Sequence, residues 1–484
     1  MPSPPLAESA APRDCDLLLT GGHVLTPDPE STGRTVSHED GSVAVDAGRI
    51  VAVGSATALR GAFRARRSVD CTGMAVLPGF TDAHTHLFQS LARGLGEGMA
   101  IWPWLREFMW PYAIAVTAQD ARVAARLGAA EAARAGITTV VDHHYAPTDT
   151  ETVLAVADAI EETGLRGVVA RGMLGDRTAV AEARGLPTAL YRYSTAEELR
   201  ITAECLAARP AGSRVQVWPA PLNLSYGDQD LVSGAVEQAR RADVRWHTHC
   251  SEGAKDPASY LDAYGIRPVA WLEKEGLLDE RATLAHAVWL DEEEIAAVGA
   301  RGASVAHNPG SNAYLASGTM PLAALRAAGA TVALGTDGPC AGGRQDMFEV
   351  MKQMLFTQRL ATLDPASVRC EDALTAATLG GARYTGSVPG TGRVTPGAPA
   401  DLAVVDVSST ARHTPLHRLD SHLVHTAQSS DVVMTIVAGE VVFEDSRCTR
   451  IDEEELYAHA REHAVALTRR ADLTDHTFQG APTC

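Results

Sequence analysis

Apolar positions in the middle of the chain come in short runs of about five to eight residues, separated by alanine- and leucine-rich stretches with helical spacing. That alternation predicts βα units and a parallel sheet. The strand candidates end near His86, His144, Leu174, Asn223, Cys250, Leu290, Asn308 and Asp337, with helices such as 119–135 and 321–328 between them. Eight parallel strands favour a closed (β/α)8 barrel of about 250 residues over an open doubly wound sheet. No GxGxxG follows the first strand, so a dinucleotide fold has little support.

The two ends have a different texture. Residues 16–20, 24–26, 42–46 and 49–54 read as short strands, with Gly21-Gly22 and residues 46–48 as turns. Residues 400–406 and 432–443 are strand-like, the latter broken by a turn at Gly439. Strands at both ends of an α/β middle predict one small β-sandwich built from the N- and C-terminal segments. The domain reading is 1–75 and 396–450 for the two parts of the sandwich, 76–395 for the barrel, and 451–484 for a terminal helix and tail. The helix covers Glu453 to roughly Arg470, and the last dozen residues read as frayed.

Composition narrows the class. The chain has 484 residues, 45% of them hydrophobic, and a formal net charge of −18. That balance argues against nucleic acid or an anionic membrane surface as partner, since both need a basic face. The first residues lack a basic and an apolar region of signal-peptide type. No apolar run reaches the roughly 18 residues that span a bilayer. The eight cysteines show no CxxC spacing and read as free thiols of a reducing compartment. A globular, cytoplasmic protein is expected.

The predicted strand ends are rich in histidine and aspartate, where a barrel keeps its working residues. His84 and His86, at i and i+2, point to one side of their strand, with Thr85 on the other. Two imidazoles so placed suit a transition metal, or else form a hydrogen-bonded core pair. His249 and Asp337 add a third nitrogen and a hard oxygen; three imidazoles and a carboxylate leave a position for water, the requirement of a catalytic site. Glu252, on the loop after His249, is placed to act as general base and then acid. His286, from the next strand, is a candidate to polarise water or substrate. His413, His417, His422 and His425 cluster late in the chain and read as a structural loop rather than a second metal site.

Several motifs resemble the amidohydrolase superfamily: Leu77-Pro-Gly-Phe-Thr-Asp-Ala-His-Thr-His86, His249-Cys-Ser-Glu252, Leu284-Ala-His286, His307-Asn-Pro-Gly-Ser-Asn312 and Leu334-Gly-Thr-Asp337. The resemblance spans nearly the whole chain and is nearest to the mononuclear cytosine, guanine, 8-oxoguanine and S-adenosylhomocysteine deaminases with the triazine hydrolases. It implies one divalent metal ion per chain, zinc favoured over iron, held by His84, His86, His249 and Asp337. It assigns proton transfer to Glu252 and His286, with Asp337 steadying charge. Binuclear branches use a carbamylated lysine at the end of strand four. Here the only lysines are Lys255, Lys274 and Lys352, so that bridge is excluded.

The implied reaction is hydrolytic deamination of a nitrogen heterocycle with release of ammonia. Gln89 and Arg171 match positions that contact substrate in relatives and can read the edge of a purine-like ring; the alternatives are a solvated glutamine and a structural ion pair. Trp104, in the aromatic stretch 102–110, is the stacking candidate, and His286 also faces substrate. Nucleoside-type members carry a ribose-binding glutamate where this chain has Ala113. Guanine or 8-oxoguanine is therefore the favoured substrate. The alternatives are a triazine amino- or chlorohydrolase, an adenosine or S-adenosylhomocysteine deaminase, and a cyclic amide hydrolase of the imidazolonepropionase type. The family implies a homodimer or higher homo-oligomer.

Overall fold

The computed structural model describes residues 11–28, 33–386 and 388–473. The tail read as frayed lies outside them. The N-terminal segment forms β1 (Arg13–Pro27), β2 (Thr35–Asp46), β3 (Arg49–Ser55), β4 (Phe63–Asp70) and β5 (Met74–Pro78). Gly21-Gly22, expected to be a turn, is instead an irregularity inside one long strand, because β1 changes partner there. Arg13–Thr20 runs parallel to β4, His23–Val24 runs parallel to β5, and the register against β2 shifts on both sides of Gly22. The sequence reading missed β4, whose Arg64, Arg66 and Arg67 hide the strand pattern.

The boundary drawn after residue 75 falls inside β5, and this is a second correction. The apolar run 75–80 is two strands in two layers. β5 pairs antiparallel with a C-terminal strand of the small sheet, whereas Phe80 opens the barrel. The chain crosses between layers at Gly79, where a Cβ would stand 2.1 Å from the Thr138 side chain.

The barrel strands are β6 (Phe80–Thr85), β7 (Ile137–His144), β8 (Arg166–Met173), β9 (Val215–Pro221), β10 (Trp246–Cys250), β11 (Ala282–His286), β12 (Ser304–His307) and β13 (Thr331–Leu334). Within β6–β9 and within β10–β13 all neighbours are parallel. Most of these strands are buried along their full length, which is why they read as apolar runs rather than alternating ones. Asn223 bridges to His249 at one seam. At the other, the Asp337 N–H donates to the His84 carbonyl at 2.9 Å, so the ring closes. β11 stops at His286, short of the expected Leu290, because His286 and Ala287 both take positive φ and turn the chain. The helices Ala118–Arg134 and Leu322–Ala327 lie within a residue of their predicted spans.

The C-terminal segment returns as β14 (Leu402–Asp406), β15 (Val432–Val437), β16 (Glu440–Glu444) and β17 (Arg447–Cys448). β14 pairs with β5, which merges both chain ends into one nine-stranded sheet. Its core includes Leu17, Val43, Val76, Leu402, Val404 and Ile436. The closing helix Glu453–Arg470 ties to the barrel helix Ala118–Arg134 through His463, 2.7 Å from Asp120. No helix among the described residues is long and apolar enough to cross a membrane.

Asp401 joins the layers. Its carboxylate accepts from Arg166 of β8 at 2.8 Å and from the Ala438 N–H at 2.6 Å, and its carbonyl accepts from the Gly79 N–H at 2.9 Å. Removing one partner of a buried ion pair costs about 3–5 kcal/mol. Asp401→Ala is expected to lower the unfolding free energy by that order, read as a fall in the urea midpoint; an unchanged midpoint means the pair does not couple barrel and sheet.

Candidate active site

The C-terminal ends of the barrel strands converge on one cavity lined by His86, Gln89, Trp104, Tyr145, His249, Glu252, His286 and Asp337, among others. The residues expected to hold a metal do come together. His86 Nε2 lies 3.2 Å from Asp337 Oδ1 and 3.2 Å from His249 Nε2, and His84 Nε2 lies 3.5 Å from Asp337 Oδ1.

The far side of each ring decides what these atoms can do. His86 Nδ1 is 2.7 Å from the His143 carbonyl, and His249 Nδ1 is 2.7 Å from the Leu222 carbonyl. A carbonyl only accepts, so both Nδ1 atoms carry a proton, and in the neutral rings both Nε2 atoms present bare lone pairs. Two lone pairs and a carboxylate oxygen at 3.2 Å repel unless a metal ion or a proton lies among them. His84 Nε2 is buried with no hydrogen-bond partner. Donor atoms of His84, His86 and Asp337 lie within 4.8 Å of one another, as do those of His84, His143 and His249. This donor set fits a divalent metal ion with nitrogen preference.

The charges are set by burial. Desolvation holds His84, His143, His247 and His249 well below the usual imidazole range, which favours their neutral forms; burial would lower His86 too, but Asp337 outweighs it and raises His86. Burial alone would raise Asp337, but the His84 and His86 imidazoles beside it outweigh that and hold the carboxyl well below the usual range. Burial pushes Glu252 up to about 7, with His286 pulling the other way. Two carboxylates in one cavity are thus driven apart, the pattern that separates an anionic ligand from a proton carrier.

Glu252 is held at one oxygen and free at the other. Ser317 donates to Oε1 at 3.1 Å, and Oε2 faces His286 Nε2 at 3.6 Å. His286 Nδ1 sits 3.0 Å from Asn312 Oδ1, which aims the unpartnered Nε2 between Glu252 and Asp337 Oδ2, 3.7 Å away. Ser251, His286 and Asp337 all adopt left-handed backbone, with φ of 46°, 71° and 60°. Non-glycine residues in that region cost about 1–3 kcal/mol each and persist where surrounding contacts over-determine them. Here the Asp337 backbone is pinned by the His84 carbonyl and by Thr85 Oγ1 at 3.0 Å, and Asp337 Oδ1 accepts from the Gly338 N–H at 2.7 Å.

The expected substrate contacts divide. Gln89 lines the cavity, donating to the Tyr145 hydroxyl at 3.2 Å and leaving Oε1 without a partner. It fits only because residue 338 is glycine: a Cβ there would stand 1.9 Å from Gln89 Oε1. Trp104 also lines the cavity, with its ring nitrogen unpartnered. Arg171 does not line it, and its assignment as a substrate contact is corrected. It is fully buried and committed to the Glu198 carboxylate at 2.6 Å, Thr202 Oγ1 at 2.8 Å and the Thr148 carbonyl at 2.8 Å. Ala113 lines a second cavity, which shares the walls Tyr145 and Leu222 with the first.

In the late histidine group, His413 and His422 form a 2.6 Å hydrogen bond, and Asp431 lies 3.4 Å from His413. Asp431 is the carboxylate that spacing alone did not supply, yet this trio does not gather one donor atom from each residue around a common point. Sequence reasoning missed Tyr145 as a cavity wall and the supports Ser317, Asn312 and His247. Asn312 and Ser317 stand within or just after the motif beginning at His307, which was the available signal.

A model of the amidohydrolase family matches residues 75–442. A Natronomonas pharaonis protein named 5-methylthioadenosine/S-adenosylhomocysteine deaminase is 36% identical over 457 residues, covering 94% of this chain and 99% of that one. An adenosine deaminase from Xanthomonas campestris with bound zinc superposes with a TM-score of 0.85 at 29% identity, over 95% of this chain and 100% of that one. Atrazine chlorohydrolase from Arthrobacter aurescens, complexed with zinc, gives 0.84 at 25% identity, over 93% and 100%. On the family match and likeness across nearly whole chains, this protein belongs to the amidohydrolase family, in its branch of deaminases and triazine hydrolases, and is a hydrolase of carbon–nitrogen bonds.

Proposed function

We propose that the chain is a zinc-dependent aminohydrolase that replaces the exocyclic amine of an adenine-type nucleoside, such as 5′-methylthioadenosine, S-adenosylhomocysteine or adenosine, and releases ammonia. The observation that carries the chemistry is the pairing of a cation-seeking donor set, His84, His86, His249 and Asp337, with a proton carrier in the same cavity, Glu252. The substrate class is a correction to the guanine preference of the sequence reading. It draws support from relatives about 35% identical whose names specify adenine nucleosides and thioethers. Ala113 favours a second reading, a free base or triazine-like ring, because no carboxylate stands there to take a ribose diol.

Bound among these donors, a divalent ion supplies Lewis acidity and activates water. The chain's own residues do the rest. Glu252 takes one proton of the attacking water at Oε2 and delivers it to a ring nitrogen, then passes the water oxygen's second proton to the departing amine, while Ser317 holds Oε1 still. His286, fixed by Asn312, faces the carbon under attack from beside Asp337. Gln89 and Trp104 hold the ring by its edge and face.

Glu252→Gln is expected to cut turnover by about 10²–10⁴-fold, the usual worth of a general acid–base group. Ammonia release is measured from the three nucleosides above, guanine, 8-oxoguanine and aminotriazines. Turnover of nucleosides that is lost in the variant supports the proposal. Turnover of guanine bases or triazines alone overturns the nucleoside assignment. No ammonia from a chain holding one metal overturns the aminohydrolase reading in favour of a ring-opening hydrolase.

The pH profile is a separate test. Glu252 works ionised, and burial places its proton loss at about 7. kcat/KM should therefore be full above that pH and fall by up to about tenfold per unit below it. A profile flat down to pH 5 would remove Glu252 from the role of base.

A further inference from the structure

The three histidines facing the metal position are oriented by different means. His86 and His249 give their Nδ1 protons to backbone carbonyls, which fixes each tautomer outright. His84 backs onto another imidazole: its Nδ1 lies 2.9 Å from His247 Nε2, and both rings are fully buried. An imidazole nitrogen donates or accepts according to its tautomer. The state of His84 is therefore open until that of His247 is decided.

What decides it lies one strand further on. The β10–β11 register sets His247 directly opposite Thr283. His247 Nδ1 is 3.0 Å from Thr283 Oγ1 and 3.0 Å from the Tyr384 hydroxyl. Thr283 has one hydroxyl proton, and it goes to the Trp246 carbonyl at 2.7 Å, a group that only accepts. Toward His247 the Thr283 oxygen offers only a lone pair. That requires a proton on His247 Nδ1, which leaves His247 Nε2 bare to accept from His84 Nδ1, and His84 Nε2 bare toward the cavity. In the reverse arrangement Tyr384 donates to a bare His247 Nδ1. Two lone pairs would then face each other at 3.0 Å, and the last proton would land on His84 Nε2.

We propose that Thr283 and His247 are positioning residues that set the tautomer of His84, with Thr283 fixing the direction of the whole relay. The inference rests on the reading of His84 as a metal ligand. Partners behind ligating histidines are worth about 10–100-fold in metal affinity. The relay makes an asymmetric demand: Thr283 matters because it accepts, whereas Tyr384, whose hydroxyl can donate as well as accept, admits the wrong tautomer once Thr283 is gone.

The test is Co2+ affinity of the metal-free chain by chelator competition. The visible spectrum reports the ligand set, and thermal unfolding of the metal-free forms reports folding. Thr283→Val should bind about 10–100-fold more weakly. Thr283→Ser, which keeps the hydroxyl, should bind like wild type, as should Tyr384→Phe. Adding Tyr384→Phe to Thr283→Val should recover part of the loss, a result that loosened packing would not give. Wild-type affinity in Thr283→Val, or an equal loss in Tyr384→Phe, overturns the relay. If Thr283→Val does not fold, Thr283→Ser and Tyr384→Phe still decide, since a loss in either contradicts it. His84→Ala binding as tightly as wild type overturns the ligand assignment itself, a failure distinct from normal binding by Thr283→Val.

Discussion

The barrel closes through its own reactive residues. Strands β6 and β13 meet through Asp82, whose carboxylate accepts from the Thr336 N–H at 2.9 Å, from Thr336 Oγ1 at 2.5 Å and from the His84 N–H at 3.4 Å. Strands β9 and β10 meet where Asn223 bridges to His249. His84, Asp337 and His249 therefore stand at the seams rather than in the middle of a sheet. A closed ring has no free edge, so a shift at either seam must be absorbed around the barrel or by the site. The same contacts that make the fold a barrel bring the donor atoms to their separations of 3.2–3.5 Å.

Burial then sorts the ionisable groups by what surrounds each one. Asp82 and Asp142 are fully buried, and desolvation pushes each up to about 7. Asp337 is buried as deeply, yet two imidazoles hold it ionised. Glu252 has one hydroxyl bond and one facing imidazole, and its proton loss falls near neutrality. Carboxyl groups of ordinary intrinsic strength thus divide into structural clamps, a proposed ligand and a proposed proton carrier, by local hydrogen bonding in one low-dielectric interior. The left-handed backbone at Ser251, His286 and Asp337 belongs to the same region, since Ser251 follows the last residue of β10, His286 ends β11 and Asp337 lies three residues beyond β13.

Where the sequence misled, the cause was short-range reading of a long-range fact. Arg171 sits at a strand end, as substrate residues do, but its partner Glu198 comes from a helix 27 residues later and turns it away from the cavity. The run 75–80 is continuous in apolar character, yet Gly79 divides it between two layers. Gly21-Gly22 has turn composition, but β1 has parallel partners waiting on both sides. Composition reports local preference, and in each case a distant contact overrode it.

The order of motifs in the chain determined much by itself. Alternating βα texture, histidines at i and i+2, and a glutamate three residues after His249 specify a barrel and a metal-type hydrolytic site, because strand periodicity fixes which side chains share a face. The absence of lysine before Lys255 excluded a carbamylated bridge without any coordinates. Only the tertiary structure decided the protonation and direction of each group: which nitrogen of each histidine is bare, which oxygen of Glu252 is free, and that Arg171 is spoken for. Those properties depend on separations of a few tenths of an ångström between residues far apart in sequence, and on burial that no residue carries in its own identity.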